Sequence, residues 1–336
     1  MNRDAIKQFP TVSLSILPTP LHKLKNISRE TGVNIYCKRD DLTGFAFGGN
    51  KTRKLDFLIA DAISKNSNTL IAVGAIQSNF CRMAAAAGKE SGLDVHLVLG
   101  GKKPKKPTGN LLLSYLFGAN IHFVETDDWN ILEQEGKLLT EKFKTQGKNV
   151  YWLPIGGSTP IGALGYAAAF IEILDDCKRL GIATDTIIHT SSSSGTQAGL
   201  IVGKALTGWQ GKIIGMGVAK TEKQLSKEVF ELAHDTGKLL WESSKGVHSH
   251  ILSGHVFIDK KDVILDNSYM GTAYGARTAA CESAIKFFAE KEGIVLDNVY
   301  TGKAAAGLLD YAKRGLFSPN ENVIFIHTGG IVEIFE

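Results

Sequence analysis

The feature of this sequence that most constrains its fold is a regular alternation of short apolar runs with longer stretches of helical periodicity. The apolar runs, rich in Val and Ile, lie at 69–74, 94–100, 120–125, 149–154, 184–190, 212–218, 294–297 and 322–330. The stretches with helical spacing lie at 79–92, 109–118, 129–146, 162–180, from about 196, at 221–237 and 275–291, and from Gly302. Strands that are apolar on both faces and alternate with helices form parallel sheets covered by helices. The pattern therefore predicts an α/β protein.

A glycine-rich joint at 155–165 divides this alternation into two sets. The chain has 336 residues, which is more than a single hydrophobic core usually serves. Two sets of alternating strands and helices in such a chain predict two α/β layers with a cleft between them. Residues 239–270 follow no clear periodicity and carry no prediction.

Composition and charge exclude several classes of protein. The chain has no run of 18 apolar residues and its first ten residues contain no apolar segment, which predicts a cytoplasmic protein without a membrane span. A net charge of +4 is too small to indicate nucleic acid, and the basic run at 102–106 is interrupted by proline, as in a solvated loop. The cysteines are far apart and form no CxxC pair, which predicts free thiols at Cys37, Cys81, Cys177 and Cys281.

Three loops of unusual composition follow predicted strands, at the edge where parallel sheets bind ligands. The loop at 189–199 reads HTSSSSGTQAG and leads into a helix, so hydroxyls and backbone N–H groups converge there as in a phosphate-binding cup. A serine-rich linker is the alternative, but a linker would not fit tightly between an apolar strand and a helix. The loop at 74–79 reads GAIQSN; a simple helix N-cap would explain one of its three polar residues. The loop at 327–330 reads HTGG and would look the same in a simple turn.

The stretch FGGNKTRKL places two glycines directly before Lys51, where an amphipathic helix begins. A reactive lysine behind flexible backbone, together with a phosphate cup, favours pyridoxal phosphate over a nucleotide. A neutral amine is needed for imine formation, and lowering a lysine pKa from ~10.4 to ~7 costs roughly 4–5 kcal/mol. Burial or a neighbouring cation such as Lys54 would supply that shift; alternatively, Arg53 and Lys54 are surface charges on the helix.

The motifs KRDDLTGFAFGGNKTRKLDFL, GAIQSN, SSGTQAG, LDNVYTGKAAAGL and FIHTGG together resemble the D-cysteine desulfhydrase and 1-aminocyclopropane-1-carboxylate deaminase family. The resemblance runs in order from about residue 10 to 330. It implies the tryptophan-synthase-β-like fold (fold type II), in which two three-layer α/β/α domains with mostly parallel sheets hold pyridoxal phosphate in the cleft between them. The expected domains are a larger one from 1–46 plus 156–336 and a smaller one from 47–155. The resemblance also implies a homodimer that acts on a small amino acid.

The same resemblance implies roles for particular residues. Lys51 would be the Schiff-base lysine, Ser78 would relay protons, and two active-site tyrosines would be Tyr274 and Tyr300. On sequence alone each tyrosine would more often be a packed aromatic. Residues expected at the cofactor are Asn50, Lys51, Lys54, Asn79, Ser193, Ser194, Gly195, Thr196, Thr301 and Thr328. Residues expected at the substrate carboxylate are Gln77, Ser78 and Asn79, and no metal is expected.

Two threonines indicate which member of the family this chain resembles. The cyclopropane deaminases have glutamate at the position of Thr301 and HLGG where this chain has Thr328, whereas the desulfhydrases have threonine at both. A carboxylate keeps the pyridine nitrogen protonated, and a hydroxyl gives a weaker electron sink. The weaker sink favours α,β-elimination, most simply of D-cysteine to pyruvate, ammonia and sulfide. L-Cysteate and then 1-aminocyclopropane-1-carboxylate are the alternative substrates, because Phe80 and the final segment IVEIFE depart from the family pattern.

A different class of protein is the last alternative. A non-catalytic or nucleotide-binding α/β protein would fit the strand pattern, but no GxGxxG motif follows the first strand with an acidic residue about 20 positions later. The segment HSHILSGH at 248–255 has three histidines without a standard zinc spacing.

Overall fold

The computed structural model describes residues 3–245 and 256–335. In these residues the strands are β1 (Leu21–Lys23), β2 (Asn34–Lys38), β3 (Thr69–Ala75), β4 (Asp94–Gly100), β5 (Asn120–Val124), β6 (Val150–Leu153), β7 (Thr186–Ser191), β8 (Lys212–Gly217), β9 (Ile264–Asp266) and β10 (Asn322–Ile326). The helices are α1 (Lys25–Thr31), α2 (Lys51–Ser64), α3 (Asn79–Glu90), α4 (Gly109–Leu116), α5 (Trp129–Thr145), α6 (Pro160–Leu180), α7 (Gly195–Thr207), α8 (Glu222–Ser243), α9 (Ala279–Glu292) and α10 (Thr301–Lys313).

The strands form two sheets, as the alternating pattern predicts. One sheet has six strands in the order β1-β2-β10-β7-β8-β9, all parallel except the pairing of β1 with β2. The other has four parallel strands in the order β5-β4-β3-β6. Helices cover both faces, so the central strands are buried on both sides; Ile71 and Ile187, for example, are fully buried. The predicted α/β fold with two mostly parallel sheets is confirmed.

Some elements of the structure were not predicted, and one predicted strand does not form. Strands β1 and β2 and helix α1 precede the first predicted strand, and β9 lies in the unassigned region 239–270. The predicted strand at 294–297 is wrong, because Ile294 and Leu296 are buried beside α9 without joining a sheet. The division into 1–46 plus 156–336 and 47–155 stays a prediction.

The N-terminal half of α2 is anchored to α6 by buried charges. Arg53 is 2% exposed and donates to Asp40 at 2.8 Å and to Glu172 at 2.7 Å. Burial opposes the charge on Arg53, but the two carboxylates outweigh it and raise the pKa of the guanidinium. Lys54 is fully buried as well. The interpretation of Arg53 and Lys54 as surface charges is therefore wrong.

Three further expectations concern metals, membranes and thiols. No group of three or more potential metal-ligating side chains occurs in the described residues, and the histidine segment 248–255 lies outside them. Within the same residues no helix combines the length and apolarity needed to span a membrane; a cytoplasmic location stays a prediction. The four cysteines are buried and none is in a disulfide.

Candidate active site

One cavity is lined by the loops at the carboxyl ends of β3, β7 and β8 and by the N-terminal ends of α2, α3 and α7. It brings together most of the predicted site residues. Those in its wall are Asn50, Lys51, Ser78, Asn79, Ser193, Ser194, Thr196, Tyr274, Tyr300 and Thr328. The cavity wall also contains Phe80, Met83, Trp129 and Lys220. Gln77, Lys54, Gly195 and Thr301 are not part of this wall as the structure describes it.

Lys51 is the first residue of α2, and the glycines before it let two loops touch. Gly49 has φ 127°, and a Cβ there would lie 2.6 Å from Met83 Cε and 3.3 Å from the Thr328 carbonyl oxygen. The next residue, Asn50, donates its backbone N–H to that same oxygen at 2.9 Å. Glycine is required because the chain before Lys51 packs directly on the loop after β10.

The two lysines of α2 form a pair of amines withdrawn from water. Burial lowers the pKa of Lys51 to about 8, although a hydrogen bond with Lys54 opposes the shift. Burial, followed by the charge of Lys51, lowers the pKa of Lys54 well below its ordinary value. Lys54 Nζ donates to the Gly156 carbonyl at 3.1 Å. Lys51 is thus a neutral amine over a substantial fraction of time near pH 8, which is what nucleophilic chemistry requires.

The loop between β7 and α7 has the features of an anion cradle. Ser194 has φ 65°, and Gly195 begins a helix of 13 residues whose N-terminus opens on this loop. The buried hydroxyls of Thr190 and Ser191 have no hydrogen-bond partner among the described residues. A Cβ at Gly195 would lie 2.5 Å from Lys54 Nζ, so an amine donor lies at the same helix end. These donors fit the phosphate of pyridoxal phosphate.

Ser78 and Asn79 occupy the start of α3. Ser78 Oγ accepts the Cys81 N–H at 3.2 Å, so this residue is an N-cap and also part of the cavity wall. Gln77 points elsewhere: its Oε1 accepts the Asn110 N–H at 2.9 Å and thereby caps α4. The substrate contact predicted for Gln77 stays a prediction; in the structure its side chain caps the N-terminus of α4.

The tyrosines meet across the cavity. The hydroxyls of Tyr274 and Tyr300 form a short hydrogen bond, and Trp129 contacts the Tyr274 ring edge-on at 5.6 Å between centroids. Burial, followed by the nearby Tyr274 and Glu333, raises the pKa of Tyr300 well above its ordinary value. The Tyr300 hydroxyl therefore remains protonated and can donate a hydrogen bond.

The two threonines that distinguish the subfamilies have different surroundings. Thr328 lies in the cavity wall. Thr301 is fully buried, and its hydroxyl donates to Asp297 Oδ1 at 2.5 Å. No carboxylate belongs to the wall formed by the described residues. The cofactor contact of Thr301 stays a prediction, and Asp297 is a partner that the sequence did not indicate.

Some residues at or near the cavity were not singled out from the sequence. Lys220 lies in the loop after β8, so an inspection of the strand ends would have identified it from the sequence. Its Nζ donates to Glu228 Oε1 at 2.6 Å. Trp129 is the first residue of α5, and Met83 lies in the second turn of α3. Glu333 contacts Asn79 from the far end of the chain. No periodicity or motif signals the last three.

Comparisons with known proteins agree with this geometry. The family model described as pyridoxal-phosphate dependent enzyme matches residues 12–329. A putative 1-aminocyclopropane-1-carboxylate deaminase of Pyrococcus abyssi is 37% identical over 98% of this chain and 94% of its own length. A D-cysteine desulfhydrase of Salmonella typhi is 35% identical over 98% of this chain and 97% of its own. A crystal structure of an ACC deaminase homologue, 35% identical, superposes with a TM-score of 0.89 over 99% of this chain and 96% of that one.

Proposed function

Because this chain belongs to the pyridoxal-phosphate-dependent enzymes, in the family of 1-aminocyclopropane-1-carboxylate deaminases and D-cysteine desulfhydrases, we propose that it converts D-cysteine to pyruvate, ammonia and sulfide. Names within the family are divided between the two activities, so the choice of substrate depends on the cavity. The observation that supports D-cysteine is the absence of a carboxylate from the wall that the described residues form. Without a carboxylate to keep the pyridine nitrogen protonated, the cofactor is a weaker electron sink. Only a leaving group as good as thiolate is then expected to depart readily.

Pyridoxal phosphate, when bound, supplies the electron sink that makes the α-proton of an amino acid acidic. The chain's part is to hold the phosphate in the cradle at 190–196 and to move protons. Lys51 Nζ, with its pKa lowered to about 8, takes the α-proton. The protonated Tyr300 hydroxyl donates a hydrogen bond to the departing sulfur. The C–S bond breaks, its electron pair leaves with the sulfide, and water hydrolyses the released 2-aminoacrylate to pyruvate and ammonia. Ser78, at the start of α3, receives the substrate carboxylate.

L-Cysteate is a weaker candidate on this geometry. A sulfonate needs a cation, and Lys220 in the wall is already bound by Glu228. The basic segment 102–106 is exposed and outside the wall, as expected of a solvated loop. The ring of Phe80, 2% exposed, adds an apolar surface to the cavity and has no hydrogen-bond donor or charge to bind a sulfonate.

The test is a substrate panel on the purified, cofactor-loaded protein, with each keto acid measured. D-Cysteine, L-cysteine, L-cysteate, D-serine and 1-aminocyclopropane-1-carboxylate make up the panel. We expect pyruvate and sulfide from D-cysteine; oxobutyrate from the cyclopropane would overturn the proposal. Pyruvate from L-cysteate alone would keep the reaction type and change the substrate.

A second experiment tests cofactor attachment independently of the substrate. Borohydride treatment followed by peptide mapping should leave the cofactor attached to Lys51. Attachment without any keto acid from the panel would indicate a protein that binds the cofactor and lacks these activities. The homodimer is also part of the proposal, and light scattering should give the mass of two chains.

A further inference from the structure

The segment after β10 brings a carboxyl group to the back of the cavity wall. Residues 331–336 read IVEIFE, and Ile331–Phe335 form a short 3-10 helix. The turn begins with a hydrogen bond from the Glu333 N–H to the Gly330 carbonyl at 3.0 Å. Glu333 is 8% exposed. A buried carboxyl group beside a cofactor site is costly unless it is bonded, so its partners indicate its use.

One partner of Glu333 is Asn79. Asn79 Nδ2 donates to Glu333 Oε1 at 2.7 Å, a length typical of a hydrogen bond to a charged acceptor. Asn79 Oδ1 accepts from Arg82 and from Asn110, each at 3.2 Å. An amide oxygen has two lone pairs and an amide nitrogen two hydrogens. The oxygen of Asn79 is thus saturated, and one N–H remains.

The charge of Glu333 also acts on the buried guanidinium of Arg82. Arg82 is 1% exposed and contacts only amide and carbonyl oxygens through its hydrogen bonds in the described residues. Burial lowers the pKa of Arg82 to about 10, and the charge of Glu333 opposes that shift. Arg82 and Glu333 therefore stand on opposite sides of one amide, a cation at its oxygen and a carboxylate at its nitrogen.

We propose that Glu333 is a positioning residue that, through Asn79, sets one amide N–H of the cavity wall as a donor for the cofactor. Asn79 can then act toward a ligand only as a donor, which suits the ring oxygen of pyridoxal phosphate. The proposal rests on the cofactor contact proposed for Asn79 and does not depend on which amino acid is the substrate.

The experiment measures cofactor binding to apoprotein, with pyridoxal phosphate as the probe. Its dissociation constant is followed by quenching of tryptophan fluorescence, the absorption band of the bound cofactor is recorded, and unfolding of the apoprotein checks the fold. We expect E333A to raise the dissociation constant about tenfold and to shift the band. E333Q should stay within about threefold of the parent, because its amide oxygen still accepts from Asn79. E141A, at an exposed carboxylate of α5, is the matched control and should change nothing.

A double-mutant cycle decides whether Glu333 acts through Asn79. N79A should weaken binding by itself, and E333A added to N79A should cause no further loss and no further band shift. Equal effects of E333A with and without Asn79, or an unchanged dissociation constant and band in E333A, would overturn the proposal. Should E333A fail to fold, E333D replaces it: the shorter side chain keeps the charge and loses the contact. E333D should then weaken binding more than E333Q, and the reverse order would also overturn it.

Discussion

At the scale of single residues, the defining feature of the site is a pair of buried amines one helical turn apart. Burial lowers the pKa of Lys51 to about 8, so this amine is charged below that pH and neutral above it. Only the neutral form can attack the aldehyde. The rate of covalent attachment of pyridoxal phosphate to apoprotein should rise with pH through a midpoint near 8, measured by stopped-flow absorbance. A midpoint above 10, as for an ordinary lysine, would contradict this interpretation; K51A should show no attachment.

The tyrosine pair allows a second residue-scale prediction. Tyr300 contacts Tyr274 through its hydroxyl, and Y300F removes only that oxygen. Loss of a hydrogen-bond donor that stabilises a developing negative charge typically lowers kcat by ~10²–10³-fold, so we expect a fall of about 100-fold for D-cysteine. The affinity for pyridoxal phosphate should change less than about twofold. Y115F, at a tyrosine 40% exposed on α4, is the control and should retain full activity. A large loss of cofactor affinity in Y300F would assign the hydroxyl to binding instead.

At the scale of elements, the approach of the loop before α2 to the loop after β10 gives a third prediction. G49A places a methyl group 2.6 Å from Met83 Cε and 3.3 Å from the Thr328 carbonyl oxygen, at φ 127°. Strain and overpacking of this kind cost roughly 1–3 kcal/mol each, and α2 would shift with Lys51. We expect G49A to weaken cofactor binding and to lower the free energy of unfolding, the latter measured by denaturant titration. G147A has φ 82° with nothing within 4 Å, so it should cost only the backbone strain and bind the cofactor normally.

The same elements show what sequence patterns can and cannot predict. Strands such as β3 and β4 are long and apolar on both faces, so periodicity located them almost to the residue. Strand β2 was not predicted because it ends in Lys38, a charge whose burial depends on partners elsewhere in the chain, among them Asp176, 138 residues away. The loops around Lys51 and Ser193 were predictable because their chemistry is local. The contact of Asn79 with Glu333 joins residues 254 apart, and no local pattern carries such information.

At the scale of the whole molecule, a buried ionic network connects α2, which carries Lys51, to α6 and β2. Its members other than Arg53 are Lys38, Asp40, Glu172 and Asp176. Burial opposes the charges of Asp40 and Glu172, but Arg53 outweighs it and lowers the pKa of each below its ordinary value. The stabilisation is therefore complete above the ordinary values of 3.8 and 4.5 and is lost as pH falls through the lowered ones.

R53A tests this network, because it leaves two buried carboxylates without their main partner. Breaking a buried ion pair on one side costs ~3–5 kcal/mol, so denaturant titration at pH 7 should show a loss of this size. The loss should shrink in acid, since protonation of Asp40 and Glu172 removes the unpaired charges that the variant leaves behind. R179A breaks a pair in which the arginine is 64% exposed, and it should cost less than about 1 kcal/mol. Equal effects of the two substitutions, or a loss in R53A that grows toward low pH, would show that the network does not hold α2 in place.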